Sequence, residues 1–323
     1  MEKSVGTEYA VTVTGEVPAD QLGRVSAHEH LSCDISPHSG STDNIIQDID
    51  LIAEELGAFL QAGGRTIFEV TPVDLSRNPA ALKLISEKSG VQIVSGIAFY
   101  DAKTHPPWLR KAAVEQITRY LVNELENGSE GVRAGLIGEL ATGNQPGADA
   151  TTYVMSAVES RIFQAAARAQ QETGAAISTH ASIGRAGHAQ LRVLEEAGAD
   201  LEKVVIGHCD AQWHEDIERD LAYYLPILEK GACCEFDLIG WSELMPDCAR
   251  AERIAALIGR GFSGQLLLGT DTCRLSHLHA FNGRGYDYLF TAFLPMLIEQ
   301  GVSPTHIDQM LAGNPGRILS RRR

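Results

Sequence analysis

The chain has 323 residues, 44% of them hydrophobic and 21% charged, which is ordinary globular usage and excludes a disordered chain. Lys and Arg total 27 against 42 Asp and Glu, a net charge of −15. With no internal basic run, this acidic chain is expected to bind neither nucleic acid nor an anionic membrane.

The N-terminus lacks an apolar core followed by a small-residue cleavage site, so no signal peptide is expected. No window offers an unbroken apolar run of about 18 residues, so no transmembrane helix is expected. VTVTGEVPADQLG reads as part of a small hairpin within residues 1–23, ahead of a barrel over 24–320. VSAHEHL (25–31) is the first long strand, and 43–64 follows with helical apolar spacing and a glycine stop. Then come strand 65–71, helix 79–89, strand 91–99, helix 108–128, strand 134–140, helix 152–173 and strand 175–180. Helix 185–198, strand 204–208, helix 214–230, strand 232–237, helix 247–260 and strand 265–271 continue the rhythm. Helical stretches at 287–300 and 305–312 finish it.

Eight apolar strands, each followed by a helix, predict one (β/α)8 TIM barrel domain over the whole chain, 1–323. The competing layout is an open doubly wound sheet, which calls for a glycine-rich phosphate turn after an early strand. No such turn stands there. The terminal Arg321–Arg323 reads as a solvated tail. Six cysteines without a CxxC pair read as reduced thiols of a cytoplasmic protein, and Cys209, beside His208, as a small buried hydrophobe.

In such a barrel the active site lies at the C-terminal ends of the strands. Strand ends here carry His28 and His30, Glu139, His180, His208 and Asp271. The two-residue spacing of His28 and His30 puts both rings on one face of a strand. Each feature alone has a bland explanation in packing or capping. Together, four imidazoles and two carboxylates on one rim are costly to bury without a counter-charge. Two divalent cations supply it, and the donors suit Zn²⁺, with Mn²⁺ or Co²⁺ as alternatives.

This series resembles the phosphotriesterase-like branch of the amidohydrolase superfamily. So do the segments AHEHL, AGLIGEL, STH followed by GRAGHAQLRVLEEAG, VVIGHCD, EFDLIG, GRGYDYLFTAFLPML and LAGNPGRIL. The resemblance implies a binuclear metal hydrolase. One metal would be held by His28, His30 and Asp271, the other by His180 and His208, with Glu139 and a hydroxide bridging them. Many relatives place a carbamylated lysine at the bridge, whereas here Gly138-Glu139 stands there, so the bridge is read as a glutamate. The catalytic residues are then Asp271, as proton acceptor and later donor, with Glu139 and with His208 orienting the shuttle from its second ring nitrogen. The resemblance also implies a homodimer.

Loops after the strands supply Phe99, Tyr100, Trp241, Arg274 and His277 as candidate substrate-binding residues. The segment DTCRLSHLHAFNGRGYDYL resembles relatives that open phosphorylated sugar lactones, which use an arginine at the Arg274 position for phosphate. Those relatives also carry a lysine near Trp241 and a tyrosine near His277, both absent here. A tryptophan without the lysine adds apolar area and removes a charge. The expected activity is therefore a lactonase opening a hydrophobic, N-acyl-homoserine-type lactone, a small-molecule ester substrate. The alternatives are a phosphotriesterase, an N-acyl amide hydrolase, a phosphorylated sugar lactonase and, from another class, a small-molecule binding protein with structural metals.

Overall fold

The computed structural model describes residues 8–145, 148–181 and 185–322. A hairpin of β1 (Glu8–Thr12) and β2 (Gly15–Pro18) precedes the barrel, as the sequence predicts; its residues 1–7 lie outside the described residues. The barrel strands are β3 (Val25–Glu29), β4 (Thr66–Glu69), β5 (Gln92–Ile97), β6 (Leu136–Thr142), β7 (Ile177–Ala181), β8 (Val204–Ile206), β9 (Cys233–Phe236) and β10 (Leu266–Leu268). They pair in parallel in chain order. The two ends of the sheet meet where Asp271 N–H donates to the His28 carbonyl at 3.0 Å and His30 N–H to the Thr272 carbonyl at 3.3 Å. Gly269 allows that approach, since a Cβ there would lie 2.9 Å from the His28 backbone nitrogen. This is the expected TIM barrel.

Inside the barrel, one apolar cluster takes Val25, Phe68, Val94, Leu136, Val205 and Leu267 from different strands and is joined by Ile318 and Leu319. A much larger cluster sits between strands and helices. The apolar filling therefore occupies the N-terminal end of the barrel, and the polar side chains collect at the other end. No helix of the described residues is long and apolar enough to cross a membrane. The six cysteines are unpaired, and Cys209 is buried.

Helix positions hold, but several starts move. The stretch expected as a helix from residue 43 begins with Ile45–Ile46 paired to Cys33–Asp34, and α1 covers only Ile49–Gln61. Asp48 sets that start by accepting from the Asp50 and Leu51 N–H groups at 3.0 and 3.1 Å. Helix α2 (Pro79–Ser89) matches its prediction. The predicted 108–128 helix divides into a turn at Leu109–Lys111 and α3 (Val114–Glu126). Ser156 and Glu159 form a capping box, so α4 runs Ala157–Thr173 rather than from 152. Helices α5 (Gly187–Glu196), α6 (Ile217–Glu229) and α7 (Asp247–Gly259) follow.

The C-terminus departs further from expectation. Helical structure continues past 312 through Asn314–Leu319. There the Asn314 side chain donates to the Ser263 and Leu266 carbonyls, both at 2.8 Å. Arg321 and Arg322 form a paired strand rather than a free tail, with only the Arg322 side chain exposed. They pair antiparallel with Glu8 and Tyr9, and Arg321 is buried and donates to the Gly135 carbonyl at 2.9 Å. The tail backbone completes a small sheet with the hairpin; Arg323 lies outside the described residues.

Asp220, near the start of α6, carries a buried charge network. It accepts from Arg253 Nε at 3.0 Å, His214 Nδ1 at 2.7 Å, the His214 N–H at 3.1 Å and Arg185. Burial alone would raise its pKa, but the bonds from His214, Arg185 and Arg253 outweigh burial and hold the carboxyl below its usual value. A carboxylate depressed in the fold stabilises above its unfolded pKa and loses that stabilisation as pH falls through the folded value. Asp220→Asn is expected to cost about 3–5 kcal/mol at neutral pH, because it removes the buried charge facing Arg253 and Arg185 and leaves Arg253 only the exposed Glu252 as an ion-pair partner. Urea unfolding should show that deficit narrowing below about pH 4, where the wild-type carboxylate itself takes up a proton.

Candidate metal centre

The six predicted residues converge at the C-terminal mouth of the barrel, none more than 8% exposed. His28 lies in β3 with His30 just beyond it, Glu139 in β6 and His180 in β7; His208 follows β8 and Asp271 follows β10. Both β3 and β6 shift register at these places, between Ser26 and Glu29 and between Ile137 and Leu140. Such irregularities re-aim side chains at a barrel rim. His208 and Asp271 take left-handed backbone conformations, with φ of 51° and 44°. Each costs of the order of 1–3 kcal/mol for a non-glycine residue. The His208 N–H is held by both Asp237 carboxylate oxygens, at 3.1 and 2.9 Å, and the Asp271 N–H by the His28 carbonyl.

Each imidazole has one ring nitrogen occupied by a partner and presents the other to the centre. His28 Nδ1 lies 3.2 Å from both Glu235 Oε2 and Asp237 Oδ2. His30 Nδ1 bonds Thr71 Oγ1 at 2.9 Å, and His208 Nδ1 bonds Asp237 Oδ1 at 2.8 Å. His180 is turned the other way, with Nε2 at 3.2 Å from the Tyr100 hydroxyl and Nδ1 inward. Inward-facing nitrogens then crowd the carboxylates. Glu139 Oε2 is 2.9 Å from His180 Nδ1 and 3.2 Å from His28 Nε2, its Oε1 is 3.6 Å from His30 Nε2, and Asp271 Oδ1 is 3.2 Å from His30 Nε2.

The residues fit a pair of cations. Among the described residues His28 Nε2 is buried without a hydrogen-bond partner, because its approach to Glu139 lacks hydrogen-bonding geometry. His180 Nδ1 and His208 Nε2 face each other at 2.7 Å. Among the described residues, ligand atoms cluster within 4.8 Å in the sets His28–His30–Asp271, Glu139–His180–His208 and His28–His208–Asp237. The first two sets together hold all six of the residues at the strand ends. Burial opposes ionisation of Glu139, yet the His180 and His28 rings hold its carboxyl well below the usual range. Burial, with Asp237 alongside, pushes Glu235 up to about 8.

A cavity of about 600 Å³ opens over the cluster. Tyr100, Trp241 and Arg274 line it, with Ile35, Leu238 and Leu244 extending an apolar wall. Two predicted substrate residues are elsewhere. Phe99 is fully buried in the core, its ring 5.6 Å from that of Trp108 and 5.7 Å from that of Tyr120, because adjacent residues point to opposite sides. His277 sits edge-on to Trp241 at 4.8 Å and does not line the cavity. Burial and the neighbouring Arg284 and Arg274 push its imidazole down to about 3, so it is neutral at physiological pH. The second nitrogen of His208, expected to orient a shuttle with Asp271, is taken by Asp237. Asp237, Glu235 and Thr71 were not anticipated in these roles, nor was Glu69, whose Oε1 accepts from the Thr71 hydroxyl at 2.5 Å. Their sequence signal is the two-residue spacing in EFD and EVT at strand ends.

A sequence model of the phosphotriesterase family matches residues 9–319. The chain belongs to the phosphotriesterase family. It is thus a hydrolase of a family that works with a binuclear metal centre. It is 32% identical over 302 residues to the phosphotriesterase homology protein of Escherichia coli, covering 93% of this chain and 99% of that protein. The crystal structure of that protein, complexed with phosphate in the active site, covers 92% of this chain and 99% of its own with a TM-score of 0.84. The N-acetyltaurine hydrolase of Xenopus tropicalis is 30% identical in an alignment 354 positions long, gaps included, that covers 96% of this chain and 97% of that protein. A lactonase from Listeria monocytogenes is 26% identical with a TM-score of 0.87, covering 98% of this chain and 100% of that one.

Protein stripped with a chelator and titrated with Zn²⁺ should take up two equivalents, as elemental analysis would count, and should melt at a higher temperature when loaded. Glu139→Ala, which removes the carboxylate between the two ligand sets, should bring uptake below two.

Proposed function

We propose that the protein is a metal-dependent lactonase that opens a lactone bearing an apolar arm, of the N-acyl-homoserine type. The observation that carries this reading is the apolar wall of Ile35, Leu238, Trp241 and Leu244, which shares one cavity with His30, Glu139, His180, His208 and Asp271. His28, His30 and Asp271 would hold one divalent cation and His180 and His208 the other, with Glu139 shared; Zn²⁺ suits these donors. When bound, the pair supplies Lewis acidity and a water-derived nucleophile at neutral pH.

The chain's own residues do the remaining work. The apolar wall takes the arm and leaves the ring carbonyl at the cavity floor. Tyr100, on the cavity wall, fixes the His180 ring through its hydroxyl. The Asp271 carboxylate, which lines the cavity, accepts the proton of the attacking water and returns it to the alkoxide that leaves as the ring opens. Trp241 is held rigidly for its part: its indole N–H donates to the Thr270 carbonyl at 2.9 Å, and the Arg274 guanidinium lies 4.3 Å over its ring.

A second reading rests on Arg274. Its guanidinium lines the cavity and forms no ion pair among the described residues, so it can meet a substrate anion. That favours an N-acyl amide carrying an acid group, or a phosphorylated sugar lactone, over a phosphotriester. The N-acetyltaurine hydrolases and the phosphate-complexed bacterial relative support this reading.

A panel of acyl-homoserine lactones of increasing chain length, a phosphorylated sugar lactone, N-acetyltaurine and an aryl phosphotriester separates these. The lead predicts kcat/KM rising with acyl length. It also predicts that Trp241→Ala lowers kcat/KM for a long-chain lactone roughly tenfold, since about 60 Å² of lost apolar contact is worth about 1.5 kcal/mol. Turnover of N-acetyltaurine with none of any lactone would reject the lead, and loss of that turnover in Arg274→Ala would establish the second reading.

A further inference from the structure

We infer that Thr71, backed by Glu69, is a positioning residue that fixes which nitrogen His30 offers to the metal centre. The inference rests on the metal reading of the cluster and concerns two residues outside the ligand set. Thr71 and Glu69 are two apart at the end of β4 and are fully buried. Thr71 Oγ1 stands 2.5 Å from Glu69 Oε1 and 2.9 Å from His30 Nδ1. A hydroxyl has one proton to donate. As a carboxylate Glu69 can only accept, and its Oε1 takes both the Leu31 N–H at 3.2 Å and the Thr71 hydroxyl proton. Thr71 then has only lone pairs to turn toward His30. The proton of that second bond must come from His30 Nδ1.

The consequence follows from imidazole chemistry. A neutral ring protonated at Nδ1 has its lone pair on Nε2. In His30 that atom faces Asp271 Oδ1 and Glu139 Oε1. The chain Glu69–Thr71–His30 therefore selects the tautomer that can ligate and holds the ring plane. Leu31, the residue after His30, is tied to the same carboxylate, so the backbone and side chain of this segment share one anchor. The other three histidines are served by different groups: Asp237 and Glu235 at His28, Asp237 at His208 and Tyr100 at His180. Among the described residues Thr71 hydrogen-bonds one ligand only, and its loss should therefore weaken one of two metals.

The test is zinc affinity of Thr71→Val and Thr71→Ser, each stripped of metal and titrated with Zn²⁺ against a chromophoric chelator. Valine keeps the shape and removes the hydroxyl; serine keeps the hydroxyl. Expected is a loss of roughly 10–100-fold in affinity for one equivalent in Thr71→Val, with the other equivalent as in the wild type and both restored in Thr71→Ser. Thermal melts of the metal-free proteins check that Thr71→Val folds. Two wild-type equivalents in Thr71→Val would overturn the inference. So would a Thr71→Ser variant as weak as Thr71→Val, which would assign the effect to packing of the methyl group. A wild-type protein that takes up no Zn²⁺ would instead overturn the metal reading itself, and this inference with it.

Discussion

Four imidazoles and two carboxylates meet at the mouth of this barrel, each almost wholly buried. That crowding is the constraint the rest of the structure answers. Buried ionisable groups cost several kcal/mol each unless they are paired and hydrogen-bonded. Here the pairing is systematic: every ring has one nitrogen tied down by Asp237, Glu235, Thr71 or Tyr100, and the remaining nitrogens all turn to one place. Cations held at that place would balance the two carboxylates and use the lone pairs that the outer partners have set free. Two residues in left-handed backbone and two strands with shifted register are the local expense of aiming these groups.

The barrel separates this rigid cluster from the surfaces that choose a substrate. The cluster stands on strand ends, whereas the cavity walls are loops. The loop after β9 is nonetheless well anchored. Arg250, wholly buried, donates to Asp210 Oδ2 at 2.6 Å, Asp247 Oδ1 at 2.7 Å and the carbonyls of Trp241 and Met245. The Leu238 N–H donates to Asp210 and the Gly240 N–H to Asp247. Leu238, Trp241 and Leu244 are thus presented as a fixed wall.

Much of this was legible in the amino-acid order, and what was not has physical causes. Alternating apolar strands and helices with glycine stops are enough to name the barrel, and polar residues at strand ends are enough to find the six converging side chains. Asp237 and Glu235 escaped because a carboxylate near a strand end reads equally well as a helix cap. Thr71 escaped because a lone threonine carries no pattern of its own. Phe99 was placed in the cavity because aromatic residues in a loop suggest a wall, yet its neighbour Tyr100 takes that side and Phe99 turns into the core. The C-terminal arginines read as a solvated tail, and only the pairing of their backbone with Glu8 and Tyr9, more than 300 positions away, shows otherwise. Helix starts moved where a cap, Asp48 or Ser156, sits inside a longer apolar rhythm.

Anomalous diffraction at the zinc edge from crystals of zinc-loaded protein tests the central claim most directly. The account predicts two peaks roughly 3.5–4 Å apart, as in other two-metal sites. One should lie among His28, His30 and Asp271, the other beside His180 and His208, with Glu139 between them. A cluster free of anomalous signal, its imidazoles and carboxylates closed on one another by hydrogen bonds, would contradict it.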